Sequence, residues 1–195
     1  IRNYLLSSTA KYHNRVVRTL YLPKLFTERE VRLFDQAITA LYGIFDKVIA
    51  EYMTNEAYRR LFGFPLELEE LILRDPGYHC NIPIARIDIF YQEETGDFRF
   101  CEFNTDGTSA MNEDRELNTA FEASEAYQAF QKIYPLRRFE LFDTWVDEAL
   151  MLYREYAGND APPSVAIVDF MEHATTNEFL IFRDRFEKRG CKAQL

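Results

Sequence analysis

Residues 84–111, IARIDIFYQEETGDFRFCEFNTDGTSAM, decide the reading of this chain. Residues 84–91 (IARIDIFY) and 98–104 (FRFCEFN) are rich in Ile, Phe and Tyr and alternate in polarity, the period-two signal of strands. Between them, residues 92–97 (QEETGD) form a polar stretch whose Gly96 tolerates a positive φ, as a hairpin loop requires. The pattern predicts two strands joined by one turn.

Successive residues of a strand point to opposite faces. Arg86 and Asp88 therefore share a face with Ile84 and Phe90, and Glu102 and Asn104 share one with Phe98 and Phe100. A loop centred on Thr95 sets Arg86 opposite Asn104, Asp88 opposite Glu102 and Phe90 opposite Phe100, with all four polar groups on one face. A slip by one residue would set Asp88 against Phe103, and hydrophobic patterning specifies against such slips.

Two directly opposed carboxylates, with Cβ atoms about 5 Å apart, repel unless one is protonated or a cation lies between them. An all-oxygen set of Asp88, Glu102 and the Asn104 amide suits a hard divalent ion, and so small a set suits Mg²⁺, which keeps waters and completes its shell with substrate phosphates. Arg86 on the same face offers a planar fork for a phosphate or for charge developing in a transition state. Alternation alone favours the plainer reading, a surface hairpin whose charges are solvated and whose Arg neutralises the acids, since charged strand faces are common.

The spacing R-x-D-x(13)-E-x-N, here Arg86, Asp88, Glu102 and Asn104, followed by TDGTSAM, resembles the core of the glutathionylspermidine synthase family, circularly permuted ATP-grasp C–N ligases. The resemblance implies that Asp88, Glu102 and Asn104 hold Mg²⁺ and that Arg86 contacts the transferring group and stabilises the transition state of acyl-phosphate formation. It implies ATP as a substrate, a small-molecule carboxylate such as a glutathione-like peptide, and an amine such as a polyamine. Asn104-Thr105-Asp106 fits the family's Asn-x-Asp, but its usual Pro-Thr-Ser continuation is replaced by Gly107-Thr108-Ser109. Ser109 is the candidate substrate contact there. The lysines that hold the nucleotide in that family would lie beyond Leu195, so the chain alone is expected to bind ATP poorly and to be inactive.

The 195 residues suffice for one large domain or two small ones, and 47% hydrophobic residues with 17 Phe and 12 Tyr predict an aromatic-rich globular core. No apolar run has the ~18 residues of a membrane span and no signal-peptide pattern is present, so the expectation is a cytoplasmic protein without a membrane partner. Cys80, Cys101 and Cys191 are widely spaced and odd in number, which fits neither a disulfide framework nor a zinc site. The net charge of −9 disfavours nucleic acid, whose binding needs clustered Lys and Arg, and tolerates a cationic substrate such as a polyamine. The start at Ile1 and the stop at Leu195, inside a strand-like run, are read as those of an N-terminal part of a longer protein.

Taken in order, residues 1–22 are weakly periodic and His13 has no metal-type neighbour. Thr27 and Glu30 form a capping box ahead of Val31, Phe34, Ile38, Leu41, Phe45, Val48, Ile49 and Tyr52, whose spacing predicts an amphipathic helix over 28–53. Shorter helices are expected over 55–62 and 66–73, ended by the Asp75-Pro76-Gly77 turn. His79-Cys80 lacks a third partner and points its two side chains apart. Asn112 reads as the N-cap of a helix running to 133 with a break near Ser124, and the small polar turn before it has backbone N–H groups able to hold an anion. A second long helix is expected over 137–157.

Residues 158–163 (GNDAPP) read as a linker. Val165–Phe170 is an apolar run of the buried parallel-strand type, and residues 175–189 form a helix closed by Gly190, with Cys191–Leu195 beginning the next strand. Residues 171–174 (MEHA) are not phosphate-cradling. The fold expected is α/β: a mixed sheet with the antiparallel hairpin and long packing helices over 1–160, carrying the metal site, then an incomplete Rossmann-like, pre-ATP-grasp unit over 161–195. The function expected is carboxylate–amine ligation. A non-catalytic metal- or substrate-binding module, or an interaction protein, fits the same hairpin.

Overall fold

A computed structural model describes residues 1–12, 15–105, 109–170 and 174–195. His13, Asp106, Gly107 and Thr108, and Met171, Glu172 and His173, on which parts of the sequence reading fall, lie outside them. The chain is mixed α/β, about half helix, with three separate two-stranded sheets among the described residues. It divides into two compact units: residues 1–23, 84–87 and 103–195 form one, and residues 24–83 and 88–102 the other. No division falls near residue 160; the segment after the Pro162-Pro163 linker shares its core with the helix before it.

In the first unit, α1 (Arg2–Ser7), β1 (Lys11–Tyr12) and β2 (Arg15–Val16) occupy the weakly periodic N-terminus. α1 packs on α5 (Met111–Glu122), and Leu5, Ala10 and Ala120 form a small buried cluster. α6 (Glu125–Gln131) follows after the break at Ser124, whose hydroxyl accepts from the Tyr127 N–H as an N-cap. The larger core joins α7 (Phe142–Ala157) to α8 (Thr176–Lys188) and to the parallel pair β5 (Ser164–Ala166) and β6 (Lys192–Gln194). Phe142 and Val146 are fully buried, and Trp145 lies 4.7 Å, centroid to centroid, from Phe182.

Two expected boundaries move for local reasons. α7 begins at Phe142 rather than near 137, because the Glu140 carboxylate accepts from the Phe142 and Asp143 N–H groups and satisfies the helix start. The strand expected over 165–170 is ordered as β5 only to Ala166. The Ile167 N–H still pairs with the Gln194 carbonyl, but β6 ends there, and Val168 and Phe170 are 86% and 80% exposed. Arg189 ties α8 to α7, its Nε 2.6 Å from Asp147 and its NH1 2.9 Å from Asp143.

In the second unit, α2 (Glu28–Thr54) is the long helix, opened by the Thr27–Glu30 capping box. Its expected stripe is the buried or half-buried face: Leu41 and Tyr52 are buried, while Val31, Phe34, Ile38, Phe45, Val48 and Ile49 are half-buried. α3 (Glu56–Arg59) and α4 (Leu66–Ile72) follow. Arg59 fixes both to the end of α2, pairing with Glu69 and donating to the Tyr52 carbonyl at 2.9 Å. No helix among the described residues is long and apolar enough to cross a membrane.

Candidate functional site

β3 (Arg86–Tyr91) and β4 (Phe98–Asn104) pair as a two-stranded sheet, and the six residues between them are too few for a crossover, so the pair is an antiparallel hairpin. Arg86 opens β3, with Asp88 two residues on; Glu102 lies near the end of β4, and Asn104 closes it. Asp88 and Asn104 are half-buried, Arg86 and Glu102 exposed. The hairpin runs through both compact units: Asp88 and Glu102 belong to the second, Arg86 and Asn104 to the first.

The loop closes one step away from the expected centre. Gln92 N–H donates to the Asp97 carbonyl at 2.8 Å, and Gly96 N–H to the Gln92 carbonyl at 2.9 Å, with Gly96 at φ +75°. This four-residue turn sets Gln92 opposite Asp97 and Tyr91 opposite Phe98. Both rings meet the Phe34 ring edge-on, at 5.7 and 5.2 Å between centroids, so they share a face. The turn type and the packing on α2 override the hydrophobic alternation here. Continued unbroken, that register sets Asp88 opposite Cys101 and turns Glu102 to the other face. One extra residue in β4, a β-bulge, would restore Asp88 opposite Glu102 and Arg86 opposite Asn104. β4 has seven residues to the six of β3.

Within the second unit, Glu30 joins the helix cap to the hairpin. Its carboxylate accepts from the Tyr91 hydroxyl and from the Thr27 hydroxyl and N–H. These bonds, the Tyr91 one first, hold its pKa down to about 2, and the same contact raises that of Tyr91. Lys24 lies over the Tyr91 ring, 4.9 Å from its centroid, and pairs with Glu93 in the loop.

Within the first unit, the Arg86 guanidinium donates to the Ser109 carbonyl at 3.3 Å, which brings two of the candidate residues together. Ala110 follows at φ +73°, a left-handed conformation strained for a residue with a Cβ. Asn112, expected as the N-cap of α5, lies instead in its first turn and is 1% exposed. The anion expected at this helix start is the protein's own: the Glu178 carboxylate, 3% exposed, accepts the Asn112 N–H at 3.0 Å.

Around it runs a buried polar network that no local motif announces. Asn112 Nδ2 and Asn177 Nδ2 both donate to the Thr9 carbonyl, at 2.8 and 3.0 Å. Glu116 accepts from the Tyr4 hydroxyl at 2.7 Å and from Arg115 at 2.6 Å, and it lies 3.0 Å from the Thr9 hydroxyl. The contact with Glu116 raises the Tyr4 pKa. A lone acid on the inner face of each of α5 and α8 was the available sign, and it shows only once the helices are placed.

Among the described residues no three His, Cys, Asp or Glu side chains are grouped to hold a metal ion. Two carboxylates and an amide are a different donor set, all oxygen, whose chemistry fits Mg²⁺. Cys80, Cys101 and Cys191 are free thiols. The chain has no significant match among protein-family models, curated proteins or solved structures.

Proposed function

We propose that the chain carries the metal-binding hairpin of an ATP- and Mg²⁺-dependent carboxylate–amine ligase resembling glutathionylspermidine synthase. The observation that supports this reading is that Arg86 and Asp88 stand two apart on β3, and Glu102 and Asn104 two apart on its partner β4. Asp88, Glu102 and Asn104 would hold Mg²⁺, which when bound neutralises charge on the transferring phosphoryl group. Arg86, steadied by the Ser109 carbonyl, directs its fork at that group. The acid's carboxylate takes the terminal phosphoryl of ATP, releasing ADP; the amine then attacks the acyl carbon, phosphate leaves, and an amide remains. A glutathione-like acid and a polyamine are the proposed substrates. The β5–α8–β6 segment is the proposed opening of a Rossmann-like, pre-ATP-grasp unit. The proposed compartment is the cytoplasm.

The reading requires a bulge in β4. The loop-end register favours a second reading, in which the carboxylates stand on opposite faces of a non-catalytic binding or interaction module. Mn²⁺ titration followed by electron paramagnetic resonance separates the two. Under the ligase reading, Asp88→Asn and Glu102→Gln each weaken binding by tenfold or more, and at low metal each stabilises the fold by relieving like-charge repulsion. In the intact gene product, Arg86→Ala abolishes ADP release dependent on both acid and amine. Unchanged Mn²⁺ affinity in the double variant overturns the site.

A further inference from the structure

The second unit contains a cavity of about 490 Å³ that includes no residue of β3 or β4. The last turns of α2 supply one wall through Val48, Ile49, Tyr52 and Met53, and α4 supplies another through Leu71 and Ile72. Between them stand Phe62 and Phe64, separated by Gly63 at φ +65°, which lets the chain turn between the two rings. Tyr52 meets Phe62 edge-on, with centroids 5.0 Å apart, and Phe64 lies 5.9 Å from Phe62. The Arg59–Glu69 pair, with both side chains largely buried, fixes α4 against the end of α2 and holds these walls apart.

Two features distinguish this cavity from ordinary loose packing. The Tyr52 hydroxyl is buried and has no hydrogen-bond partner among the described residues, a state that is unfavourable for a polar group out of water. The walls stay wet: Phe62, Phe64 and Leu71 are 42%, 43% and 58% exposed. Its size lies within the range of about 300–1,000 Å³ typical of small-molecule sites, which combine apolar walls with a few polar groups.

The charge is selective. In a chain of net charge −9, Arg74 is the one charged residue among those described as lining the cavity. Its guanidinium makes no ion pair and no side-chain hydrogen bond among the described residues. A free guanidinium beside an aromatic wall suits an anionic head on an apolar body.

We propose that this cavity binds a small amphiphile, a molecule with an aliphatic or aromatic body and one anionic head, its body against Phe62, Phe64 and Leu71 and its head on Arg74. Cys80 lines the cavity and is half-buried, whereas Cys101 is exposed on β4 and lies outside the lining. The two thiols therefore serve as an internal reporter and its control.

The experiment alkylates the whole chain with iodoacetamide and reads each thiol by peptide mass spectrometry. Dodecanoate, kept below its micellar concentration, is the probe, and dodecanol is its uncharged counterpart. Dodecanoate is expected to slow Cys80 alkylation at least fivefold and to leave Cys101 unchanged. Arg74→Gln should weaken protection by dodecanoate about tenfold and protection by dodecanol less than twofold. Leu71→Trp, at an exposed position, fills the mouth and should remove protection by both, with an unchanged circular dichroism spectrum. Equal slowing of Cys80 and Cys101, no slowing of Cys80, or full protection in the folded Leu71→Trp variant overturns the site. Undiminished dodecanoate protection in Arg74→Gln overturns the anionic head. None of these substitutions touches Arg86, Asp88, Glu102 or Asn104, so the outcome is independent of the ligase reading.

Discussion

Removing the Glu178 carboxylate tests whether the N-terminus of α5 depends on an anion supplied 66 residues away. The Asn112 N–H is one of the helix-start donors without an intrahelical partner, and Asn112 is almost wholly buried. A hydrogen bond to a charged acceptor contributes about 1.5–3 kcal/mol and a neutral one about 0.5–1.5. A partly buried charge at a helix end adds up to about 2 kcal/mol. Glu178→Gln keeps an acceptor and loses the charge, so about 2 kcal/mol is the expected cost. Glu178→Ala also strands the buried N–H, and about 4 kcal/mol follows.

The assay is urea unfolding read by Trp145 fluorescence. Trp145 is the only tryptophan, and it packs on Phe182 of the same helix that carries Glu178, so the signal reports the first unit. For a chain of this length, 2 kcal/mol corresponds to a fall in Tm of about 4–8 °C. The order wild type, Gln, Ala is the essential result. If both variants stay within about 0.5 kcal/mol of wild type, the carboxylate is not what satisfies the α5 start.

Two further predictions rest on single residues. Glu30 has a folded pKa of about 2 against an ordinary 4.5, so its contribution is fully present above pH 4.5 and is lost as pH falls toward 2; circular dichroism melts of Glu30→Gln should show a flatter pH dependence across that window, and an unchanged slope refutes the Tyr91 and Thr27 contacts as its source. Ala110 at φ +73° should gain about 0.5 kcal/mol on Ala110→Gly, since relief of about 1–2 kcal/mol of left-handed strain is partly offset by glycine's entropy, whereas Ala110→Val should lose more than 1 kcal/mol; the same urea assay reads both, and opposite signs are required.

The long helices were legible because their information is local. Thr27 and Glu30 cap α2, its stripe recurs at helical spacing, and Gly158 at φ +66° closes α7. α1 was not legible, since its ordering comes from burying Leu5 beside Ala120, a partner 115 residues away. The apolar run 165–170 misled for the opposite reason. Its composition suits a buried strand, but pairing is decided by β6, which ends at Gln194. For the candidate site, alternation placed Arg86, Asp88, Glu102 and Asn104 on the right strands. Register was beyond it at the loop, where Gly96 selects the turn and Phe34 draws Tyr91 and Phe98 to one face.

The contents of the α5 N-terminus narrow the chemistry available near the hairpin. A helix start is an anion site in waiting, and a phosphate-handling reading of this sequence would naturally use it. Glu178 already accepts the Asn112 N–H, and a second anion there would face a buried carboxylate at close range. Substrate phosphate is therefore excluded from that position on electrostatic grounds. Under the ligase reading, anion recognition then falls to Arg86, the one cation of the four-residue motif, and to the metal that Asp88 and Glu102 would hold. The chemistry of the hairpin is consequently concentrated in one guanidinium: under the ligase reading Arg86→Lys, which keeps the charge but loses the planar fork, should restore little of the activity lost in Arg86→Ala. Near-complete recovery with lysine would mean that Arg86 acts as a point charge, and the bidentate role argued for it would fall.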